Sequence, residues 1–174
     1  MTVPAFPASP WRRLAAACYD GLLLLALWLV TLLASLFVDN LLELARNDRA
    51  NSLCLLLAGL MFFGWSWTHG GQTLGMRSWR LRLQRADGAP VRWPVAALRY
   101  ALMLASWLIA LAVLVLPLLP DAVAAAVPHR AEASGACAAY TVLAMLFLLR
   151  DGRRRAVYDL LSGTEMVLLP RENA

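Results

Sequence analysis

The sequence predicts an all-α membrane protein: a small bundle of about four transmembrane helices with a basic cytoplasmic loop that holds a short β-hairpin. Three observations predict it. Hydrophobic residues make up 61% of the 174 residues and the mean hydropathy is +0.62, far from the roughly half-apolar, quarter-charged balance of a soluble domain. The apolar residues fall into runs near the ~20 residues that cross a hydrocarbon core, not into amphipathic spacing. The charges collect between those runs, mostly on alternate sides of them.

The runs cover about 14–38, 52–68, 95–119 and 133–149. The second and fourth are short, which local bilayer thinning and flanking side chains accommodate. The stretch 122–127 is apolar but too brief to cross. The chain has no lysine, so all 16 basic residues are arginines. Arg12 and Arg13 precede the first run. Arg77, Arg80, Arg82, Arg85, Arg92 and Arg99 lie between the second and third, and Arg150, Arg153, Arg154, Arg155 and Arg171 follow the fourth. Only Arg46, Arg49 and Arg130 fall on the other side. Positively charged loops stay in the cytoplasm, so both termini and the central loop are expected there, in a bacterial inner membrane. The net charge of +5 is read as this topology signal. A nucleic-acid stripe is set aside because the arginines flank spans.

Taken in order, residues 1–10 hold three prolines and no charge and are expected as a flexible lead-in. Trp11 marks an interface, and Trp65, Trp67, Trp79, Trp93 and Trp107 are assigned the same anchoring role. Asp20 sits inside the first run, where an ionised side chain costs about 2.5–3.5 kcal/mol even on a mild insertion scale. The outer loop 39–51 pairs Glu43 with Arg46 on a short solvated turn. In the central loop, Gly70, Gly71 and Gly75 point to a turn or a close backbone approach. Trp79-Arg80-Leu81-Arg82-Leu83-Gln84 then alternates with a period of two. Asp87-Gly88 reads as the turn of a hairpin returning through Pro90, Val91 and Trp93. An interfacial helix is the competing reading of that segment. Near the C-terminus, an amphipathic turn is expected to stop at Gly163. Cys18, Cys54 and Cys137 read as small packing residues, because they lack metal-ligand spacing.

Arg13 and Asp20 are seven residues apart, almost two helical turns, and so share one face about 10 Å apart along the axis. Asp20 is expected to meet an arginine from another element, with Arg99, Arg153, Arg154 and Arg155 as candidates. Ala17 and Gly21 form a small-residue pair that would let another helix close over the carboxylate. The proposed polar cluster is Arg13, Asp20, Arg99 and Asp159, with zero formal charge. Thr73 and Thr164 add hydroxyls, and Gly71, Gly75 and Gly163 add exposed backbone amides. No nucleophile elbow, P-loop or dinucleotide fingerprint is present, no metal or cofactor site is implied, and the chain is read as a non-enzyme.

These residues also carry a resemblance. Arg12-Arg13-Leu14-Ala15-Ala16-Ala17-Cys18-Tyr19-Asp20, then Gly71-Gln72-Thr73-Leu74-Gly75-Met76-Arg77 with Asp87-Gly88 and Arg99, then Tyr158-Asp159-Leu160-Leu161-Ser162-Gly163-Thr164 resemble, in order, the elements of the RDD family of small bacterial membrane proteins. Met76 stands where that family usually has lysine, Leu160 where a basic residue is common, and the fourth span where many relatives read as three. The RDD-like transmembrane domain then covers 11–169, with a tail over 170–174. The resemblance implies a transport role. Two functions are expected to compete: transport of a small ion or solute, proton- or cation-coupled and requiring a homo-oligomer, and a non-transporting scaffold in which the cluster is structural. The partners expected are the bilayer with its anionic headgroups and that ion or solute, not nucleic acid.

Overall fold

The computed structural model describes residues 6–43, 45, 47–120 and 129–170. In chain order these form β1 (Phe6–Pro7), α1 (Pro10–Leu41), α2 (Asp48–Thr68), α3 (Leu74–Ser78), β2 (Leu81–Arg85), α4 (Trp93–Leu118), α5 (Arg130–Arg150), α6 (Val157–Leu161) and β3 (Thr164–Leu168). The helices α1, α2, α4 and α5 are each long and apolar enough to cross a membrane. The leucines along α1, α4 and α5 point outward, as at Leu25, Leu29, Leu114 and Leu143. A surface this apolar is suited to lipid, not to water.

Local signals start each helix. Ser9 caps α1 by accepting from the Arg12 amide, with Pro10 in the first turn, where its missing N–H costs nothing. Asn47 accepts from the amides of Arg49 and Ala50 at the start of α2. α4 ends where Pro117 and Pro120 stop helix propagation. The long helices form a row: α1 packs on α2, α2 on α4, and α4 on α5. Two polar contacts reinforce the row. The Trp28 indole donates to the Leu55 carbonyl (3.0 Å), and the hydroxyls of Ser106 and Tyr140 meet at 2.9 Å.

The sheet differs from the expected hairpin. The alternating segment is a strand, β2, but its partner is β3, with Leu81 opposite Leu168 and Arg85 opposite Thr164, both strands antiparallel. β1 pairs the other edge of β3, so the order is β1-β3-β2. The Asp87-Gly88 turn does form, with Gly88 at φ +81° and its amide on the Arg85 carbonyl. A returning strand has no edge to join. The free edge of β2 is taken by the loop before α3: the Leu83 amide donates to the Gly71 carbonyl (2.7 Å), and the Gln72 side chain donates to the Leu81 carbonyl (2.7 Å). Gly71 is at φ +72°, and a Cβ there would stand 2.6 Å from the Leu83 carbonyl oxygen, so only glycine lets the loop lie along the strand. Val91 instead packs inward, and Trp93 begins α4.

Residues 6–10, expected in a flexible lead-in, carry β1, the cap and the start of α1; Pro7 sits on an edge strand, where its missing donor is tolerated. The segment after Gly163 is a strand. The expected Glu43–Arg46 pair, the stretch 122–127 and Arg171 fall wholly or partly outside the described residues. Trp67 is only 3% exposed and belongs to the core, unlike the exposed Trp11, Trp65, Trp79, Trp93 and Trp107. Cys18 and Cys54 are exposed, not packed, and all three cysteines are free.

The core lies where the sheet meets the helix ends, not at the middle of the bundle. Leu81, Leu83 and Met166 from the sheet pack with Ala16, Phe63 and Met76. Fully burying such a side chain contributes about 1.5–3 kcal/mol. The sheet joins the N-terminal segment, the α2–α4 connection and the C-terminal segment, so all three lie at one end of the bundle.

Candidate functional site

The four predicted residues form two arrangements at that end. In the first, Asp159 in the opening turn of α6 is fully buried. Its Oδ2 accepts from Arg13 Nη2 of α1 and from the Ala156 amide (2.9 Å), and its Oδ1 accepts from Arg99 Nη1 of α4. Arg13 Nη1 also donates to the Arg154 carbonyl (2.6 Å), and Arg99 Nη1 to Thr164 Oγ1 (3.2 Å). The Arg99 guanidinium lies 5.0 Å from the centres of the Trp67 and Tyr158 rings, which lend it their π faces. One carboxylate thus ties the first and third long helices to the C-terminal segment. Gly163, at φ +63°, turns the chain from α6 into β3, and its carbonyl accepts from the Ala86 amide (2.9 Å).

In the second arrangement, Asp20 of α1, 4% exposed, meets α3. Its Oδ2 accepts from Thr73 Oγ1 (2.5 Å) and its Oδ1 from the Gly75 amide (2.9 Å). Thr73 caps α3 by accepting from the Met76 amide (3.1 Å). Among the described residues no arginine forms an ion pair with Asp20, which corrects the expected pairing. The arginines are engaged elsewhere: Arg13 and Arg99 on Asp159, Arg153 on Glu165 and Arg155 on Asp151. The partner that closes over Asp20 is also not a long helix on Ala17 and Gly21, since a Cβ at Gly21 would meet nothing within 4 Å. It is Gly75, whose missing Cβ leaves α3 in contact with Ala16 and Asp20. Arg13, Ala16 and Asp20 do share one buried face of α1.

Between α1 and α4, beside both arrangements, lies a cavity of about 380 Å³, within the ~300–1,000 Å³ of small-molecule sites. Arg13, Asp20 and Arg99 line it, whereas Asp159, Thr164, Gly71 and Gly163 do not. Two further lining residues, Trp67 and Tyr100, were not foreseen there. Trp67 Nε1, Arg99 Nε and the Tyr100 hydroxyl are buried and have no hydrogen-bond partner among the described residues. Buried polar groups are normally paired; these three atoms are closed off from the cavity as well as from solvent, and the Tyr100 hydroxyl lies against Gly59 of α2. A sequence signal existed, since Gly59, Phe63 and Trp67 recur four apart on one helical face.

Outside the spans, burial alone would raise the Asp159 carboxyl, but Arg99 and Arg13 outweigh it and hold the group below its ordinary range. A depressed folded value means support that is complete above the ordinary 3.8 and is lost as pH falls below that through the folded value. The melting temperature in detergent is therefore expected to hold from neutral pH down to about pH 5 and to fall below about pH 4. Asp151, held down by its hydrogen bond from Arg155, acts in the same direction but is less enclosed. Asp151→Asn should keep most of the acid transition. A melt unchanged to about pH 2 would contradict the role given to Asp159.

Compared with known proteins, residues 7–163 match the family model described as the RDD family. No curated protein and no solved structure matches the chain.

Proposed function

We propose that this chain, which belongs to the RDD family of small membrane proteins, binds a small solute in the cavity between α1 and α4 as a step in moving it across the bacterial inner membrane. The observation that carries this reading is the cavity itself, in which Arg13, Asp20 and Arg99 stand among otherwise apolar and aromatic lining residues.

The test is ligand-induced thermal stabilisation of the purified protein across cations, pH and small metabolites, because a ligand that binds only the folded state raises its stability. A saturable shift is expected in the wild type. Gly21→Leu is expected to fold normally, since a Cβ there meets nothing within 4 Å, and to weaken binding because its side chain enters the cavity that Gly21 lines. No shift across the panel would oppose this reading and favour the second one. That second reading, a non-transporting scaffold, draws on the complete pairing of Asp159, which looks like a fastening and leaves no oxygen for a solute.

The orientation belongs to the same proposal. Both termini and the α2–α4 connection would face the cytoplasm, a reading supported by the arginine distribution and by the sheet that joins these three segments. Arg82→Cys, on an exposed position of β2, is expected to be shielded from an impermeant thiol reagent added to intact cells, with Cys18, Cys54 and Cys137 replaced by serine. Labelling from outside would reverse the orientation.

A further inference from the structure

The charges at the sheet end divide into those the fold has paired and those it has not. Each described carboxylate there is already engaged. Asp159 takes Arg13 and Arg99, Asp151 takes Arg155, Glu165 takes Arg153, and Asp87 takes Arg85 (3.0 Å). Asp20 is held by Thr73 and Gly75. The rest of this end supplies no acid, because residues 1–19, 49–86 and 88–120 contain no Asp or Glu. Among the described residues, Arg12, Arg77, Arg80 and Arg92 therefore form no ion pair.

Each of these four stands within two residues of an exposed tryptophan at the end of an element. Arg12 follows Trp11 in the first turn of α1, and Arg92 precedes Trp93 at the start of α4. Arg77 and Arg80 flank Trp79, which closes α3. The three rings are 80%, 38% and 43% exposed in that order. The Trp93 ring rests on Gly64 of α2, where a Cβ would stand 2.5 Å from it, one residue from the exposed Trp65. Outward leucines begin just beyond, at Leu14 on α1 and Leu98 on α4. Exposed indoles at the boundary of an apolar surface mark the headgroup level of a bilayer.

We infer that Arg12, Arg77, Arg80 and Arg92, with Trp11, Trp79 and Trp93 beside them, form a rim that binds anionic phospholipid. The guanidinium groups take the phosphates, whose oxygens match their planar fork. The indoles fix the depth of the rim in the headgroup layer. A zwitterionic headgroup carries its own cation beside the phosphate and leaves an arginine unneutralised, whereas an anionic one supplies the counter-charge that the chain lacks. Arg82, Arg150 and Arg154 are unpaired as well, but no tryptophan lies within two residues of them. The inference gives residues to the headgroup contact that the arginine distribution predicts, and it does not depend on what the cavity between α1 and α4 holds.

The test uses the full chain in vesicles and reads the quenching of its tryptophans by lipids brominated on the acyl chain near the headgroup. Brominated phosphatidylglycerol and brominated phosphatidylcholine are compared at equal mole fraction in a phosphatidylcholine bilayer. Phosphatidylglycerol is expected to be preferred about fivefold, the usual worth of one or two arginines at a membrane surface. The preference should shrink as salt rises, because exposed charges are screened. Arg77→Gln combined with Arg92→Gln should bring it close to one. Both side chains are exposed and unpaired, so this variant is expected to melt in detergent as wild type does. Arg85→Gln combined with Arg153→Gln removes the same formal charge from arginines that already have carboxylate partners, and should keep most of the preference. Equal quenching of wild type by the two lipids would overturn the inference. An equal fall in both double variants would mean that net charge alone counts, and would overturn the assignment to these residues. If a short RNA or polyglutamate binds the detergent-solubilised protein through Arg77 and Arg92 while phosphatidylglycerol shows no preference, the surface belongs to that polyanion and the lipid falls.

Discussion

Asp159→Asn is expected to destabilise the protein by about 3–5 kcal/mol, the usual cost of removing one partner from a buried charge network. Three donors converge on this side chain, from Arg13, Arg99 and Ala156. Asparagine keeps one acceptor oxygen and turns an amide toward the remaining donors. Two guanidinium groups, 7% and 1% exposed, are then left without a counter-charge. Because Asp159 connects α1, α4 and the segment leading into β3, the loss reaches most of the sheet end. Thermal or denaturant unfolding in detergent measures this directly. A melt within a degree or so of wild type would mean that the triad contributes little.

Gly75→Ala is expected to cost about 1–3 kcal/mol, as overpacking of a close contact does. Its Cβ would stand 2.8 Å from Asp20 Oδ1 and closer still to the Ala16 carbonyl oxygen. The Ala16 carbonyl belongs to the backbone of a long helix and cannot move aside, so α3 must shift away from α1. That shift breaks the Gly75 amide's bond to Asp20 and leaves the buried carboxylate with Thr73 alone. Hydrogen exchange should show faster exchange at the Gly75 and Met76 amides in the variant. Unchanged exchange with an unchanged melt would oppose the docking role given to Gly75.

The four spans were legible because a bilayer imposes length and apolarity on any helix that crosses it. The ends were less so: α1 begins at Pro10 and not near residue 14, since Ser9 and the proline cap it in the polar zone. β2 was legible from its alternation, but its partner was not. Pairing 81–85 with 164–168 is a long-range choice, decided by Gly71 and Gln72 covering the other edge. β1 is two residues long, too short to leave any pattern. At the site, the resemblance pointed to Arg13, Asp20, Arg99 and Asp159, yet residue identity does not say which charges meet. Asp20 turned to α3 because a capping threonine and a glycine amide lay within reach, while Asp159 took both arginines. Trp67 was read as an interfacial anchor alongside Trp65, because tryptophans near span ends mark membrane boundaries. Only the helical phase separates the buried ring from the exposed one.

Asp159 acts as a fastening and the cavity between α1 and α4 as the ligand site, and one paired measurement tests that separation. Thermal unfolding of wild type, Asp159→Asn and Gly21→Leu is recorded with and without a stabilising ligand. Asp159→Asn is expected to melt well below wild type, and Gly21→Leu to melt as wild type does but to lose most of the ligand shift, because its side chain enters the cavity. A Gly21→Leu protein that keeps the full shift, or an Asp159→Asn protein that melts normally and loses only the shift, would contradict it.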